Sequence, residues 1–236
     1  TRSMKSLIPL LTLGALLASP AVLSAKITRT VEKTFTVQPG GNFKAATQGG
    51  DIMIRTADVS EIRVTAKQVI RASSEQEADE ILAKLTLTLE QTGNDVTAEA
   101  KYEKRTGGSW FGSWPPVSVS FDVIVPRNFN LNLNTSGGDI TAASVQGNVR
   151  ARTSGGDLKF DRVDGEIDAH TSGGDIVLRE GTARAKLGTS GGDIEVDRAG
   201  GPTQVSTSGG NITLNSVAQL LSATTSGGNV RATLTE

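Results

Sequence analysis

From Thr135 onward the chain alternates apolar and polar residues in short runs that return at a fixed interval of eighteen. Counting each Thr of a TSGG run as position one, position six reads Ile140, Leu158, Ile176, Ile194, Ile212 and Val230. Position eight reads Ala142, Phe160, Leu178, Val196, Leu214 and Ala232. Positions fifteen and seventeen pair Val149 with Ala151, Ile167 with Ala169, Ala185 with Leu187, Thr203 with Val205 and Leu221 with Ala223. Between them stand Arg150, Arg152, Asp168, His170, Lys186 and Gln204. Alternation of this kind is a strand with one face buried and one in water. Repeated at constant spacing, it stacks like residues on like and builds a continuous core. The expected fold is therefore all-β, a right-handed parallel β-solenoid (β-helix) with one eighteen-residue coil per layer. At a layer spacing of about 4.8 Å, six coils make a rod about 29 Å long.

The corners carry the clearest signature. TSGG starts at Thr135, Thr153, Thr171, Thr189, Thr207 and Thr225, without insertion or deletion. Its glycines are Gly137 and Gly138, Gly155 and Gly156, Gly173 and Gly174, Gly191 and Gly192, Gly209 and Gly210, Gly227 and Gly228. They read as structural turns, expected to use glycine's access to positive φ. A half-period of nine lies inside each coil: Gly138-Asp139-Ile140 is followed by Gly147-Asn148-Val149, and Gly156-Asp157-Leu158 by Gly165-Glu166-Ile167. It decays toward the end, to Gly201-Pro202-Thr203 and Gln219-Leu220-Leu221.

Ahead of the repeat, Gly41-Asn42-Phe43 and Gly50-Asp51-Ile52 form an early copy, out of register with the later six. Glu61 to Ile70 reads as a strand. "SSEQEADEILAKL" reads as a short helix with a capping box at Ser74 and Glu77 and an apolar side of Ala78, Ile81, Leu82 and Leu85. Two alternating strands then flank a turn at Gly93-Asn94, and Val117 to Pro126 leads back to the solenoid. Residues 26–134 are thus expected to hold a first coil plus a strand-helix-strand capping insertion, and residues 135–236 the six-coil repeat.

Residues 1–25 read as an export signal. Met4-Lys5 is followed by the apolar run Leu7 to Ala18 and by "SPAVLSA", with a cut expected after Ala25. The run is shorter than the roughly 20 residues a spanning helix needs, so no stable transmembrane anchor is expected after processing. No Cys follows it to carry a lipid. Processing removes the positive charges of Arg2 and Lys5 from a formal net charge of −1. The expected location is the periplasm or the cell surface, reached without disulfides because the chain has no cysteine.

"FDVIVPRNFNLNLNTSGGDI", the GDI/GNV run behind it and the export signal and strand-helix-strand segment ahead of it resemble a bacterial "putative adhesin" β-strand-repeat family of unknown function. The resemblance covers residues 30–236. It implies an envelope-associated β-solenoid with an adhesive or scaffolding role, and supplies no catalytic motif.

Balanced charge, 24 Lys+Arg against 25 Asp+Glu, leaves no nucleic-acid footprint. No GxGxxG or GK[ST] motif is present, and no cofactor is expected. A serine repeated six times in TSGG is a turn residue, and the single His170 has no Cys or base beside it. Three features remain as candidates. The column Asp139, Asp157, Asp175 and Asp193, continued by Asn211 and Asn229, could tie turn amides or, in the alternative of a calcium-binding repeat, hold an ion. Its spacing favours the amides, since the G-G-x-G-x-D pattern of calcium rolls is missing. Trp110, Phe111 and Trp114 in "RTGGSWFGSWPP" form a candidate contact for an envelope protein or glycan. The shortened C-terminal coil is a candidate for self-association. A polysaccharide-active β-helix enzyme is a further alternative, but these coils lack the long loops that would build a cleft.

Overall fold

The computed structural model describes residues 26–103 and 115–235. The export signal and Trp110, Phe111 and Trp114 lie outside the described residues. In chain order the elements are β1 (Lys26–Thr36), β2 (Asn42–Ala46), β3 (Ile52–Ala57), β4 (Glu61–Arg71), α1 (Glu75–Leu82), β5 (Leu85–Thr92), β6 (Asp95–Tyr102) and β7 (Val117–Pro126). The repeat follows as β8 (Asn130–Asn134), β9 (Ile140–Ala142), β10 (Val149–Arg152), β11 (Leu158–Val163), β12 (Ile167–His170), β13 (Ile176–Gly181), β14 (Ala185–Gly188), β15 (Ile194–Ser206), β16 (Ile212–Thr224) and β17 (Val230–Leu234).

These strands stack as a β-solenoid with two main walls. One wall runs β6, β2, β8, β10, β12, β14 and on to the second halves of β15 and β16, all parallel. The other runs β7, β3, β9, β11, β13, the first halves of β15 and β16, and β17, also parallel. Register follows the eighteen-residue count: Leu158 lies on Ile140 and Ile176 on Leu158, with Ile167 on Val149 across the core. Ile140, Leu158, Ile176, Leu178 and Leu187 are all at most 1% exposed. Each such side chain contributes about 1.5–3 kcal/mol, so an interior layer carries its own stabilisation. At the last layer the same column surfaces, with Val230 45% exposed.

A third buried column runs between the walls at position eleven: Val145, Val163, Gly181, Ala199 and Val217. It falls three residues after the position-eight column, so strict alternation hides it. Counting also misplaces one residue. Leu220 faces Thr203, and a bulge between Thr203 and Gln204 turns Leu221 outward to 57% exposure.

The N-terminal region is part of the rod. The early copy, out of register in the sequence, is in register in space: Ile52 lies on Ile140 and Phe43 on Leu131. The strand-helix-hairpin excursion between them breaks the sequence count without breaking the stack. Val117 to Pro126, expected to lead back to the solenoid, is itself a rung beneath β3. Beyond these rungs the walls turn antiparallel, through β5 on β6 and through β4 and β1 outside β7. Helix α1 closes this end, with Ala78 and Ile81 in the core. Ser74 caps it by accepting from the Glu77 amide at 3.2 Å, but the return bond shifts by one residue. Glu77 accepts from the amide and hydroxyl of Ser73, at 2.7 and 2.6 Å.

The glycine pairs turn the chain for a different reason from the one expected. Positive φ occurs at Gly40 and at Gly93 of the β5–β6 turn, and at none of the TSGG glycines. What the second glycine of each pair needs is space. A Cβ on Gly174 would stand 2.1 Å from the carbonyl oxygen of Gly156 in the layer below. Adjacent coils approach closely there, and no side chain fits between them.

Candidate functional site

Each TSGGD corner is tied along the rod axis by two side chains. The Thr171 hydroxyl donates to the Gly156 carbonyl at 2.9 Å and accepts from the Gly174 amide at 3.3 Å. The same pair of bonds recurs at Thr135, Thr153, Thr189, Thr207 and Thr225. The aspartates form a second ladder. Asp139 Oδ1 accepts the Asp157 amide at 2.8 Å, Asp157 that of Asp175 at 2.9 Å, and Asp175 that of Asp193 at 2.8 Å. Asp193 takes the Asn211 amide, Asn211 takes that of Asn229, and Asp51 starts the ladder by taking that of Asp139. Each oxygen thus ties the next layer up. Among the described residues, no group of three or more His, Asp or Glu side chains is arranged to hold a metal ion.

The amide of Asp175, with Lys159 beside it, holds the Asp157 carboxyl below its ordinary value of 3.8. A carboxyl lowered by folding stabilises the fold above its unfolded pKa, and that contribution is lost as pH falls through the lower folded value. Asp157→Asn keeps an oxygen acceptor but cannot titrate. In melts from about pH 7 down to about pH 2, Asp157→Asn is expected to be less stable than wild type near neutrality, to lose less of its stability in acid, and so to converge with wild type there. Parallel acid limbs for the two proteins would refute the role of this carboxylate.

The half-period of nine has the same cause at the opposite corner. Asp95 Oδ1 accepts from the Asn42 amide, Asn130 donates its side-chain NH₂ to Asn42, and Asn130 and Asn148 accept the amides of Asn148 and Glu166. This ladder was not anticipated, although the recurring GN and GE pairs carried its signal. It ends at Glu166, whose longer side chain stands in the place of the asparagine that would take the next amide.

Beside this corner, the outer face of β6, β2, β8, β10, β12 and β14 forms an open groove of about 770 Å³. One rim is the column Asn42, Asn130, Asn148, Glu166, Arg184; the floor carries Lys44, Asn132, Arg150, Asp168 and Lys186. Strand alternation points all of these away from the core, and the parallel register sets them one layer apart. Lys44 pairs with Glu99 at 3.5 Å and Arg152 with Asp168 at 2.6 Å. Burial pushes the Asp168 carboxyl up, but Arg152, Lys186 and Arg150 together outweigh it and hold the group below its ordinary value. Arg150, Arg184 and Lys186 are exposed and form no ion pair with a described residue. His170, exposed, stacks in register between Arg152 and Gly188.

The opposite wall engages its charges with one another. Arg179 reaches Asp197 at 3.2 Å and Asp161 at 4.0 Å, and Glu180 bridges Arg162 and Arg198 at 2.9 and 3.2 Å. Exposed pairs contribute little singly. Here they run along the axis and link successive layers.

The Toastrack DUF4097 family matches residues 41–236. Among solved structures, a "putative cell adhesion protein" from Clostridium sporogenes is 9% identical, with 88% of this chain and 100% of that chain covered and a TM-score of 0.45. A "putative adhesin" from Bacteroides fragilis is 12% identical over 87% and 97% of the two chains, at a TM-score of 0.41. Another from Parabacteroides distasonis is 10% identical over 86% and 82%, at a TM-score of 0.46. A comparison with curated proteins finds no match. Among the described residues, no helix is long and apolar enough to cross a membrane.

Proposed function

The chain belongs to the Toastrack DUF4097 family, and from that premise we propose that it is a non-enzymatic, adhesin-like binding or scaffold protein of the cell envelope. The observation that supports this reading is the groove on the β6–β14 wall. It is open, about 770 Å³ in volume, and lined in every layer by amide, hydroxyl or charged side chains. The wall beneath it is held rigid by bonds between every pair of layers. A pre-organised surface loses little conformational freedom on binding, so modest contacts suffice for affinity. Export, expected from residues 1–25, would place this surface in contact with envelope material.

The test is retention of envelope extract on the immobilised protein. Wild type is expected to retain a saturable component. Asn132→Trp, which fills the groove floor from an exposed position, is expected to lose at least tenfold in affinity with an unchanged melting temperature. Equal retention by Asn132→Trp would move the site elsewhere, and the Trp110→Ala/Trp114→Ala variant would then be the one to lose binding. Absence of any saturable component would end the binding role. Fractionation of cells expressing the full tagged chain tests export, with recovery in the cytoplasm as the contrary result.

A further inference from the structure

Resting on the binding role proposed above, we infer that the groove takes a linear polysaccharide carrying carboxylates on alternate sugars, held by Arg150, Arg184 and Lys186. These three cations are exposed and form no ion pair with a described residue, while Lys44 and Arg152 in the same wall are already paired. Arg150 and Lys186 occupy one column with Asp168 between them in register. They therefore stand two layers apart, about 10 Å along the axis. Arg184 precedes Lys186 by two residues in the same layer, on the same outward face. The groove thus has a positive end rung, a central rung with the acids Glu166 and Asp168, and a second positive rung at Arg150.

A polymer with an anion on every unit would set one of them against Asp168 and Glu166, at a repulsive cost. One with alternating acidic and neutral sugars avoids this. Its carboxylates meet the guanidinium and ammonium groups, and Arg suits carboxylates because its planar fork can donate two bonds. Its neutral sugars turn hydroxyls to the central acids, which accept hydrogen bonds. A protein partner fits less well. Protein interfaces centre on aromatic and large apolar side chains, and among the described residues none of the exposed large hydrophobics, Val31, Met53, Val59, Leu221, Val230 and Leu234, lines the groove.

Hyaluronan, with a carboxylate on every second sugar, is the probe, compared by calorimetry with its carboxyl methyl ester, with polygalacturonate and with dextran sulfate. Binding is expected for hyaluronan, weakening as salt rises, and at least tenfold weaker for the ester and for polygalacturonate. The triple variant Arg150→Gln/Arg184→Gln/Lys186→Gln is expected to lose hyaluronan by at least tenfold while melting with wild type. Equal binding of the ester, or undiminished binding by the triple variant, overturns the carboxylate assignment. Dextran sulfate or polygalacturonate binding as well as hyaluronan overturns the alternating pattern in favour of charge alone. If no polysaccharide binds while envelope extract is still retained and lost in Asn132→Trp, the polysaccharide inference falls and the groove remains the binding site.

Discussion

Gly174→Ala is expected to destabilise the protein by about 3 kcal/mol or more, whereas Gly173→Ala, one residue away, leaves it unchanged or slightly more stable. The two glycines share a motif and neither has positive φ. They differ in what lies below them. A Cβ on Gly174 would come within 2.1 Å of the Gly156 carbonyl oxygen and 2.4 Å of its carbon, both backbone atoms that no rotamer change can move. Relief requires the two coils to separate, which loosens the thread of bonds on either side. A Cβ on Gly173 would meet nothing nearer than 3.5 Å. Alanine there also narrows the unfolded ensemble, a gain of about 0.4–1 kcal/mol. For a chain of this size each kcal/mol shifts the melting temperature by about 2–4 °C, so Gly174→Ala should melt about 6–12 °C lower. Equal losses at the two positions, or none at Gly174, would show that close approach is not why these glycines are there.

The contrast shows what a repeat reveals and what it conceals. Columns six, eight, fifteen and seventeen were legible because alternation within a strand and recurrence between strands agree on them. The column of Val145, Val163 and Val217 was not, because a corner changes the spacing from two residues to three. Leu221 was misplaced for a related reason. With apolar residues at both 220 and 221, only the bulge opposite Thr203 decides which one faces the core. The rung made by β2 and β3 was legible as a first coil but not in its register with the repeat, since 88 residues separate Ile52 from its partner Ile140. The groove inherits that difficulty. Arg150, Asp168 and Lys186 were legible as outward-facing, but Lys44 joins Asn132 only through the β2–β8 pairing. Asp139, Asp157, Asp175 and Asp193 each place one oxygen on an amide of the layer above, a role that asparagine fills equally well at Asn211.

The second large effect concerns the residue of the motif that looked least chemical. Thr171 is fully buried, and its hydroxyl is bonded both to the Gly156 carbonyl and to the Gly174 amide. Thr171→Val keeps the shape and removes the hydroxyl, leaving a buried backbone acceptor and a part-buried backbone donor without their partner. The stranded buried acceptor costs about 1–3 kcal/mol and the part-buried donor less, so a loss of about 2–4 kcal/mol is expected. Thr171→Ser keeps the hydroxyl and removes one methyl, at about 1 kcal/mol. The expected order of stability in urea titrations is therefore wild type, then Ser, then Val, although valine is the closer match in volume and the better strand former. Propensity and packing alone predict the reverse, with valine neutral or stabilising. Valine above serine would mean that the threonines are core residues that happen to be polar. Serine above valine would make the six threonines a column of vertical ties, one reason that coils this short stay in register.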